Sequence, residues 1–357
     1  MDIISRIDKF VADLDSNTKI ALLHDTDPDG VCSGVLFAKA IERLRGKGID
    51  FRLVQKHNDV QITEETIKEL KNLKPDWLII TDKSVDTNPS TVKEAEKYCS
   101  LLVFDHHRIL ADLNSEKTIF AKAQYINKNI DGSLYPTTKL VYDIFSKYVD
   151  LSDLDWVAAV GVIADMAQRQ WILFLDTTFA IYNVDKGTNY FDTPIGKVSG
   201  LISIADTCGK SEEAFDVLYF AKSYQEMHAS KLKDYQAAVQ KEINRILEEF
   251  PSKKEAYPEK ELYYYEIGSP YALNSMISTI LSMKDRNKAF IVVQKAGTHY
   301  NISARRQDNQ IAMNELLANA VKGLEDAHGG GHRPAAGGKF LVEDKEIVKK
   351  RLLGLLS

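Results

Sequence analysis

The tripeptide Asp105-His106-His107 follows directly after the apolar run Leu101-Leu102-Val103-Phe104. The run predicts a buried strand, so its carboxyl end delivers an acid and two imidazoles to a place where unpaired polar groups are costly. That cost is offset when such groups hold a metal ion. The tripeptide therefore favours folds that bring further polar side chains to the same edge of a sheet.

Three other apolar segments end in the same way. The sequence HDTDPDG (24–30) follows the apolar segment 20–23. Asp82 follows the segment 77–81, and Asp165 follows the segment 160–164. Pro28 and Gly30 form a tight turn that can aim Asp27 and Asp29 at one point. Because four segments end alike, we expect their polar side chains to form one site.

Each of these residues also has a simpler interpretation when it is taken alone. The aspartates of a DxD loop often form turns or cap helices, and His24 is compatible with an ordinary strand-end histidine. Asp82 could cap the helix that begins near residue 88, and Asp165 could be a helix residue bonded to the backbone. The metal interpretation rests on the coincidence of all four.

Strands and helices alternate along the first part of the chain, which predicts a mostly parallel sheet. The predicted strands are 19–24, 51–54, 77–81 and 101–104, and the predicted helices are 3–14, 31–47, 62–73, 89–99, 136–149, 153–168 and 211–250. We expect an α/β protein with a larger N-terminal domain at 1–225, a connecting helix and linker at 226–258, and a smaller C-terminal α/β domain at 259–357. In the latter, strands are predicted at 262–265, 289–293 and 301–305, with helices at 272–283, 309–321 and 345–355.

The composition of the 357-residue chain excludes several classes of protein. The three cysteines are far apart, which argues against a disulfide framework or a zinc ribbon. The net charge of −5 does not favour general polyanion binding, so a nucleic-acid contact would need a local basic patch. No apolar run approaches the roughly 18 residues of a membrane span, and the N-terminus does not resemble a signal peptide. We expect a cytoplasmic protein without a membrane partner.

Carboxylates and imidazoles in these proportions are typical of a two-metal hydrolase. Oxygen ligands suit Mg²⁺ and Mn²⁺, and added imidazoles shift the preference toward Mn²⁺. The sequence therefore predicts two Mn²⁺ ions, with Mg²⁺ as the alternative. His57 and Asp59, which follow the second strand, are predicted to lie in a solvated loop.

Taken in order, these motifs resemble those of the DHH phosphoesterase superfamily. The matching pieces are HDTDPDG (24–30), Asp82, the triplet 105–107, and Asp165 within GVIADM (161–166). The segment GGGHRPAAGG (329–338) resembles the glycine-rich signature of the DHH-associated C-terminal domain. The fit extends along nearly the whole chain, and the DPDG form of the first motif is similar to that of archaeal RecJ-like proteins.

The resemblance implies a role for each matching residue. Asp27 would bind one metal ion and Asp29 the other, Asp82 would bridge them, and His106 with Asp165 would complete the second site. Either His24, as in phosphatase-like members, or Asp25, as in RecJ-like members, would complete the first. His107 would act near the scissile phosphate, as a general acid or as the partner of a ligand. One departure is Lys83-Ser84, where many members have glycine soon after the aspartate.

The resemblance also assigns substrate binding to the C-terminal domain. Ser303 and Arg305 match a Ser-x-Arg strand that holds phosphate, and Arg suits bidentate phosphate contacts. The glycines Gly329, Gly330 and Gly331 could form an anion-binding nest, with His332 bonding a phosphate or terminal group. Arg306 is expected to be solvated. Tyr271 and Asn274 are candidates either for nucleotide contacts or for core packing and capping.

The function implied is that of a metal-dependent phosphodiesterase, a RecJ-like exonuclease or nanoRNase acting on single-stranded DNA or RNA or on short oligonucleotides. One alternative is a small-molecule phosphoesterase for cyclic dinucleotides, 3′-phosphoadenosine 5′-phosphate or pyrophosphate. The other is a non-catalytic replication or repair scaffold, although such relatives typically lose metal ligands. Polarity, the choice between DNA and RNA, replication or repair partners and homodimer formation are left open by the sequence.

Overall fold

A computed structural model describes residues 2–55 and 59–356, with the backbone but not the side chain of His332. The chain divides into two compact units, Met1–Tyr235 and Gln236–Ser357. A long helix, Leu232–Lys253, runs through the boundary between them.

The first unit is built on a five-stranded sheet. Its strands are β1 (Ile20–His24), β2 (Phe51–Leu53), β3 (Trp77–Thr81), β4 (Ser100–Asp105) and β5 (Thr118–Lys122). They lie in the order β2-β1-β3-β4-β5, and every neighbouring pair is parallel. The prediction of a mostly parallel N-terminal sheet is confirmed.

Helices flank this sheet and continue after its last strand. They are α1 (Ile3–Ala12), α2 (Pro28–Arg45), α3 (Glu64–Leu73), α4 (Pro89–Ala95), α5 (Ala123–Ile126), α6 (Thr137–Phe145), α7 (Asp155–Ala164), α8 (Ile172–Ile181), α9 (Gly196–Thr207), α10 (Ser211–Phe220), α11 (Tyr224–Ala229) and α12 (Leu232–Lys253). None of the helices in the described residues combines the length and the apolar composition that a membrane span requires.

The middle residues of the central strands β1, β3 and β4 are apolar because both faces of the sheet are buried. In β1, Ile20 and Leu22 belong to one hydrophobic cluster and Ala21 and Leu23 to another. Successive side chains of a strand point to opposite faces, so a strand covered on both sides loses the usual polar alternation. This burial explains why the runs before the acidic motifs contain almost no polar residue.

The strand order places a ligand-binding crevice at one point of the sheet. From β1 the chain crosses to β2 on one side, and β3 then pairs on the other side of β1. Such a reversal opens a crevice outside the carboxyl ends of the two central strands. The segment after β1 and Asp82 after β3 both lie at this edge.

The second unit contains a mixed six-stranded sheet. Its strands are β6 (Glu255–Tyr257), β7 (Leu262–Ile267), β8 (Ala289–Ala296), β9 (His299–Arg305), β10 (His328–His332) and β11 (Ala335–Leu341), in the order β10-β11-β9-β8-β7-β6. Only the β7–β8 pair among these is parallel. The remaining helices are α13 (Asn274–Lys284), α14 (Met313–Val321) and α15 (Lys345–Leu355).

The glycine-rich segment has a different local structure from the nest that the sequence favoured. Gly329, Gly330 and Gly331 lie in β10, which pairs antiparallel with β11 through residues that include Gly337 and Gly338. A Cβ at Gly331 would lie 2.6 Å from the Ala335 carbonyl oxygen, and this residue has φ +133°. The glycines therefore allow two strands to approach closely.

Three further differences come from short or weakly patterned segments. β5 was not predicted, because its five residues follow a polar loop and carry a terminal lysine. The short strand β6 lies in the segment predicted as linker. The region 176–200, which was not assigned from the sequence, contributes to α8 and α9.

Candidate functional site

The turn after β1 is fixed by the start of α2. Asp27 is the N-cap of this helix, its Oδ1 accepting a hydrogen bond from the Gly30 amide at 2.8 Å, and Pro28 occupies the first helical turn. Proline at this position costs no hydrogen bond, because the first amides of a helix have no intrahelical partner. Capping of α2 and a place in the predicted metal site are therefore compatible roles for Asp27.

Asp29 is buried and is held by the beginning of α6. Its two carboxylate oxygens accept hydrogen bonds from the backbone amides of Thr137 and Thr138, at 2.8 and 2.9 Å. These amides carry the positive end of the helix dipole, so they stabilise the charged carboxylate. A Cβ at Gly161 of α7 would lie 2.9 Å from Asp29 Oδ1, so only glycine leaves room for it.

Asp82 lies at the end of β3 in a left-handed backbone conformation, with φ +63°. Aspartate tolerates this region better than most residues. The Thr137 hydroxyl donates to Asp82 Oδ1 at 2.8 Å. Burial, followed by the charges of Asp29 and Asp27, raises the pKa of Asp82 well above its usual range. A buried acid with a raised pKa in a crevice is a candidate functional group.

His106 and Asp165 complete the acidic cluster from two other elements. His106 Nε2 lies 3.2 Å from Asp165 Oδ2, 3.6 Å from Asp82 Oδ1 and 4.0 Å from Asp29 Oδ2. Burial lowers the pKa of His106, which favours the neutral ring that binds metals. Burial and then the charges of Asp29 and Asp27 raise the pKa of Asp165 to about 9.

The predicted ligands form three overlapping groups. The groups are Asp25, Asp27 and Asp82; Asp29, His106 and Asp165; and Asp82, His106 and His107. Within each group one possible ligand atom per residue lies within 4.8 Å of the others. Asp82 and His106 each occur in two groups, so the three are parts of one cluster at the crevice.

His107 is oriented by a buried ion pair. Its Nδ1 lies 2.7 Å from Asp105 Oδ1, and Asp105 is also paired with the buried Lys122 of β5. Lys122 Nζ donates to the His107 carbonyl oxygen at 3.1 Å. Burial alone would lower the pKa of His107, but the hydrogen bond and charge of Asp105 outweigh it and raise this pKa. About half of the His107 side chain remains exposed to solvent.

The structure separates His24 from the acidic groups. The His24 ring stacks on Phe215 with centroids 4.8 Å apart, and its Nδ1 lies 2.6 Å from the Asp25 carbonyl oxygen. Burial lowers the pKa of His24 to about 4. Asp25, by contrast, joins Asp27 and Asp82, so among the described residues the structure brings Asp25 and not His24 into a ligand group.

The donor set fits a pair of divalent cations. Five aspartates have closely spaced oxygens, and burial followed by the charges of Asp29 and Asp27 raises the pKa of both Asp82 and Asp165. Carboxylate oxygens with one or two imidazoles match the preferences of Mn²⁺. Asp25, Asp27 and Asp82 could hold one ion, and Asp29, His106 and Asp165 a second.

In the second unit, Arg305 has free hydrogen-bonding capacity. Its Nη2 donates to the Ser275 hydroxyl at 3.2 Å, while its buried Nε has no hydrogen-bond partner in the described chain. Burial lowers the pKa of Arg305, and no described carboxylate pairs with it. Ser303 is buried, with its Oγ 2.8 Å from Ser278 Oγ. An arginine with spare donors is suited to binding phosphate.

The expectation that Arg306 is solvated is wrong. Its guanidinium is buried and bonds Asp308 at 2.8 Å and Glu261 at 2.7 Å. Arg306 can be buried because Asp308 and Glu261 offset its positive charge.

Tyr271 and Asn274 both form hydrogen bonds with Gln294. The Tyr271 carbonyl accepts one from Gln294 Nε2 at 2.6 Å, and the Asn274 backbone amide donates one to Gln294 Oε1 at 3.3 Å.

The structure does not describe the side chain of His332 or any part of His57. The backbone of His332 ends β10, but its side chain is not among the described groups. His57 belongs to the three residues that are not described, whereas the Asp59 carbonyl accepts a hydrogen bond from Lys83 at 2.8 Å.

Sequence reasoning missed three sets of residues that form hydrogen bonds or ion pairs with the site residues. Thr137 and Thr138 follow Pro136 at the start of an amphipathic helix, and this pattern could have identified free backbone amides. Lys122 follows the apolar segment Ile119-Phe120-Ala121, so it repeats the pattern of a polar residue at a strand end. Gln124 donates to the carbonyls of His106 and His107 at 3.2 and 3.1 Å, and no sequence signal singles it out.

Comparison with known proteins gives a family match for the second unit. Residues 260–356 match the model of the DHHA1 domain. No curated protein matches the chain.

Solved structures share the fold of the whole chain. RecJ of Thermus thermophilus, in complex with Mn²⁺, has a TM-score of 0.72 at 16% identity, with 99% of this chain and 54% of that chain covered. This chain thus spans about half of that protein. An exonuclease RecJ bound to manganese has a TM-score of 0.69 at 16% identity, with coverages of 100% and 94%. An exopolyphosphatase-related protein from Bacteroides fragilis has a TM-score of 0.58 at 13% identity, with coverages of 99% and 96%.

The domain match, the shared fold and the ordered acidic motifs agree with one another. At these identities the structural matches bear on the fold alone. Residues 260–356 carry a DHHA1 domain, and the chain as a whole has the fold of the RecJ structures.

Proposed function

We propose that this protein is a divalent-metal-dependent phosphodiesterase that hydrolyses single-stranded nucleic acid or short oligonucleotides. The observation that carries the proposal is the convergence of Asp25, Asp27, Asp29, Asp82, His106 and Asp165 at the carboxyl edge of a parallel sheet. Asp29 and Asp82 are buried and the other three aspartates are half-buried, and carboxylates in such surroundings are costly unless cations offset their charge. The two RecJ structures that share this fold are complexes with manganese.

The ligand groups suggest which residue holds which ion. Asp25 and Asp27 would hold the first ion, Asp29, His106 and Asp165 the second, and Asp82 would be shared. When bound, two such ions lower the pKa of an attacking water and offset charge on the phosphoryl oxygens. The Thr137 and Thr138 amides keep Asp29 oriented, and the Thr137 hydroxyl does the same for Asp82.

His107 is the candidate for proton transfer. Asp105 accepts a hydrogen bond at His107 Nδ1, which leaves Nε2 as the atom that can give a proton to a leaving oxygen. The raised pKa of His107 favours the protonated form that this role requires. The half-exposed ring can reach a substrate, unlike the buried ring of His106.

Arg305 and Ser303 are the candidates for phosphate binding in the second unit. Arg305 has donors without a carboxylate partner in the described residues, and Ser303 lies two positions earlier on β9. A phosphate bound by this guanidinium would anchor a strand without reading its sequence. Gly329, Gly330, Gly331 and His332 in the adjoining hairpin remain proposed substrate contacts.

The proposal is tested by parallel digestion of end-labelled single-stranded DNA, RNA dinucleotides, cyclic dinucleotides and duplex DNA with Mn²⁺, Mg²⁺ or EDTA. Asp27→Asn removes a proposed ligand, and Asp13→Asn is the matched control because Asp13 is an exposed partner of Lys9. We expect metal-dependent cleavage of single strands or dinucleotides that Asp27→Asn abolishes and Asp13→Asn retains. Absence of metal-dependent cleavage, or equal cleavage in EDTA, would overturn the proposal.

A small-molecule phosphoesterase is the second candidate. The net charge of −5 favours it, because binding to a long strand usually depends on clustered basic residues. Preferential cleavage of the cyclic dinucleotide in the same experiment would select it. A non-catalytic scaffold is disfavoured because the acidic ligand groups are complete.

A further inference from the structure

Lys83 is a buried cation beside one side of the acidic cluster. Its side chain is 1% exposed, and its Nζ lies 3.0 Å from Asp25 Oδ1. The ammonium also donates to the Asp59 carbonyl oxygen at 2.8 Å, which fixes it from the other side. Lys83 directly follows Asp82, at the position where the chain departs from the glycine common in related motifs.

The two halves of the cluster consequently differ in charge. Asp25 belongs to the group with Asp27 and Asp82, and it already shares its charge with Lys83. In the other group, Asp29 and Asp165 have His106 as their ion-pair partner and no lysine or arginine within 4.0 Å among the described residues. Both groups contain carboxylates, but within the part of the chain that the structure describes only the first has a fixed ammonium on one of its ligands.

We propose that Lys83 makes the two cation sites unequal, so that the Asp29–His106–Asp165 site fills first and the Asp25–Asp27–Asp82 site fills at higher metal concentration. This inference rests on the proposed function, since it assumes that the cluster binds divalent ions. It makes Lys83 a residue that sets the metal concentration at which the centre is complete.

The physical reason is competition for one carboxylate. The ammonium occupies Oδ1 of Asp25, so a divalent ion receives less of the Asp25 charge and is repelled by a neighbouring positive charge. The hydrogen bond also orients Asp25, which favours metal binding. Orientation by a hydrogen bond is a smaller effect than a full charge in a buried site, because the low dielectric strengthens the repulsion.

Titration of the metal-free protein with Mn²⁺, followed by the electron paramagnetic resonance signal of free Mn²⁺, measures this directly. We expect two unequal binding steps in the wild type. Lys83→Met, which removes the charge and keeps the length, should tighten the weaker step roughly tenfold or more and leave the stronger step nearly unchanged. Lys83→Gln, which keeps a neutral donor, should act in the same direction and serves if the methionine variant folds poorly.

Lys139→Met is the matched control, since Lys139 is a buried lysine that pairs with Asp143 outside the cluster. Asp25→Asn should remove the weaker step and Asp165→Asn should weaken the stronger one. Equal affinities in the wild type, or an unchanged weaker step in both Lys83 variants, would overturn the inference. A wild type that binds no Mn²⁺ would instead overturn the proposed function.

Discussion

Arg305 and Arg306 are neighbours in the chain but differ in their partners. The Arg306 guanidinium bonds Asp308 and Glu261, whereas no carboxylate in the described part of the protein pairs with Arg305. Side chains of adjacent strand-end residues point to opposite sides, so one arginine is satisfied within the unit and the other keeps donors free. The pair therefore offers a test that separates binding from folding.

Replacing Arg305 by alanine should raise KM for single-stranded substrates by roughly 10- to 100-fold with a smaller effect on kcat, because a charge-assisted phosphate contact is lost. Arg306→Ala is the control, and it should cost about 1–3 kcal/mol of stability while KM changes little. Steady-state kinetics and thermal unfolding of both variants measure the two effects. An unchanged KM in Arg305→Ala would remove this residue from the substrate site.

Asp82→Asn should have opposite effects on activity and stability. Removing a charge from the residue that we propose as the shared ligand should weaken metal binding by roughly a hundredfold or more and abolish hydrolysis. The same change removes an acid whose pKa is raised by burial and by the charges of Asp29 and Asp27, so the metal-free variant should melt at a higher temperature than the metal-free wild type. Asparagine also suits the left-handed backbone at this position. A variant that is inactive and less stable in EDTA would point to a structural role instead.

The metal-free protein should lose stability as the pH rises. Asp165 has a pKa of about 9 in the folded state and near 3.8 when unfolded, so the folded state binds the extra proton between these values. The contribution of Asp165 to the free energy of unfolding is fully present below pH 3.8 and is lost as the pH rises through about 9. Mn²⁺ should restore the stability, with a larger melting shift at pH 8.5 than at pH 6.

Melting temperatures in EDTA across this range measure the effect, and Asp165→Asn provides the reference without the titrating group. We expect the wild type to lose stability with pH more steeply than the variant. Parallel profiles for the two proteins would show that Asp165 does not carry the raised pKa.

Gly161→Ala should disturb the hydrogen bonds that the Thr137 and Thr138 amides donate to Asp29. The added Cβ would lie 2.4 Å from Thr138 Oγ1 and 2.9 Å from Asp29 Oδ1, so α6 and α7 must separate. We expect a loss of about 1–3 kcal/mol in stability and weaker Mn²⁺ binding. Gly200→Ala in α9 is the matched control, because nothing lies within 4 Å of its added Cβ. That variant should be stabilised by roughly 0.5–1 kcal/mol. Equal effects in both variants would contradict the packing argument.

The acidic cluster was predictable because a parallel sheet brings the carboxyl ends of its strands to one edge. Asp27, Asp29, Asp82 and His106 meet there for this reason. The different surroundings of His24 and Asp25 were not predictable, since they depend on where β1 ends. His24 is still a strand residue paired with Thr81, and Asp25 follows it, so the two side chains point in different directions.

The supports of the cluster were harder to foresee, because they come from elements distant in sequence. Lys122 reaches Asp105 only through the pairing of β5 with β4, and the amides that hold Asp29 belong to a helix more than a hundred residues away. Periodicity and turn chemistry describe local structure, and they carry no information about such contacts. The burial of Arg306 was hard to predict for the same reason, because it depends on the ion pair with Glu261, which is distant in sequence.

The most direct measurement is anomalous X-ray diffraction at the manganese edge from crystals grown with Mn²⁺. The account predicts two anomalous peaks, one among Asp25, Asp27 and Asp82 and the other among Asp29, His106 and Asp165. A well-ordered crystal whose carboxylates at this edge carry no manganese peak would contradict it.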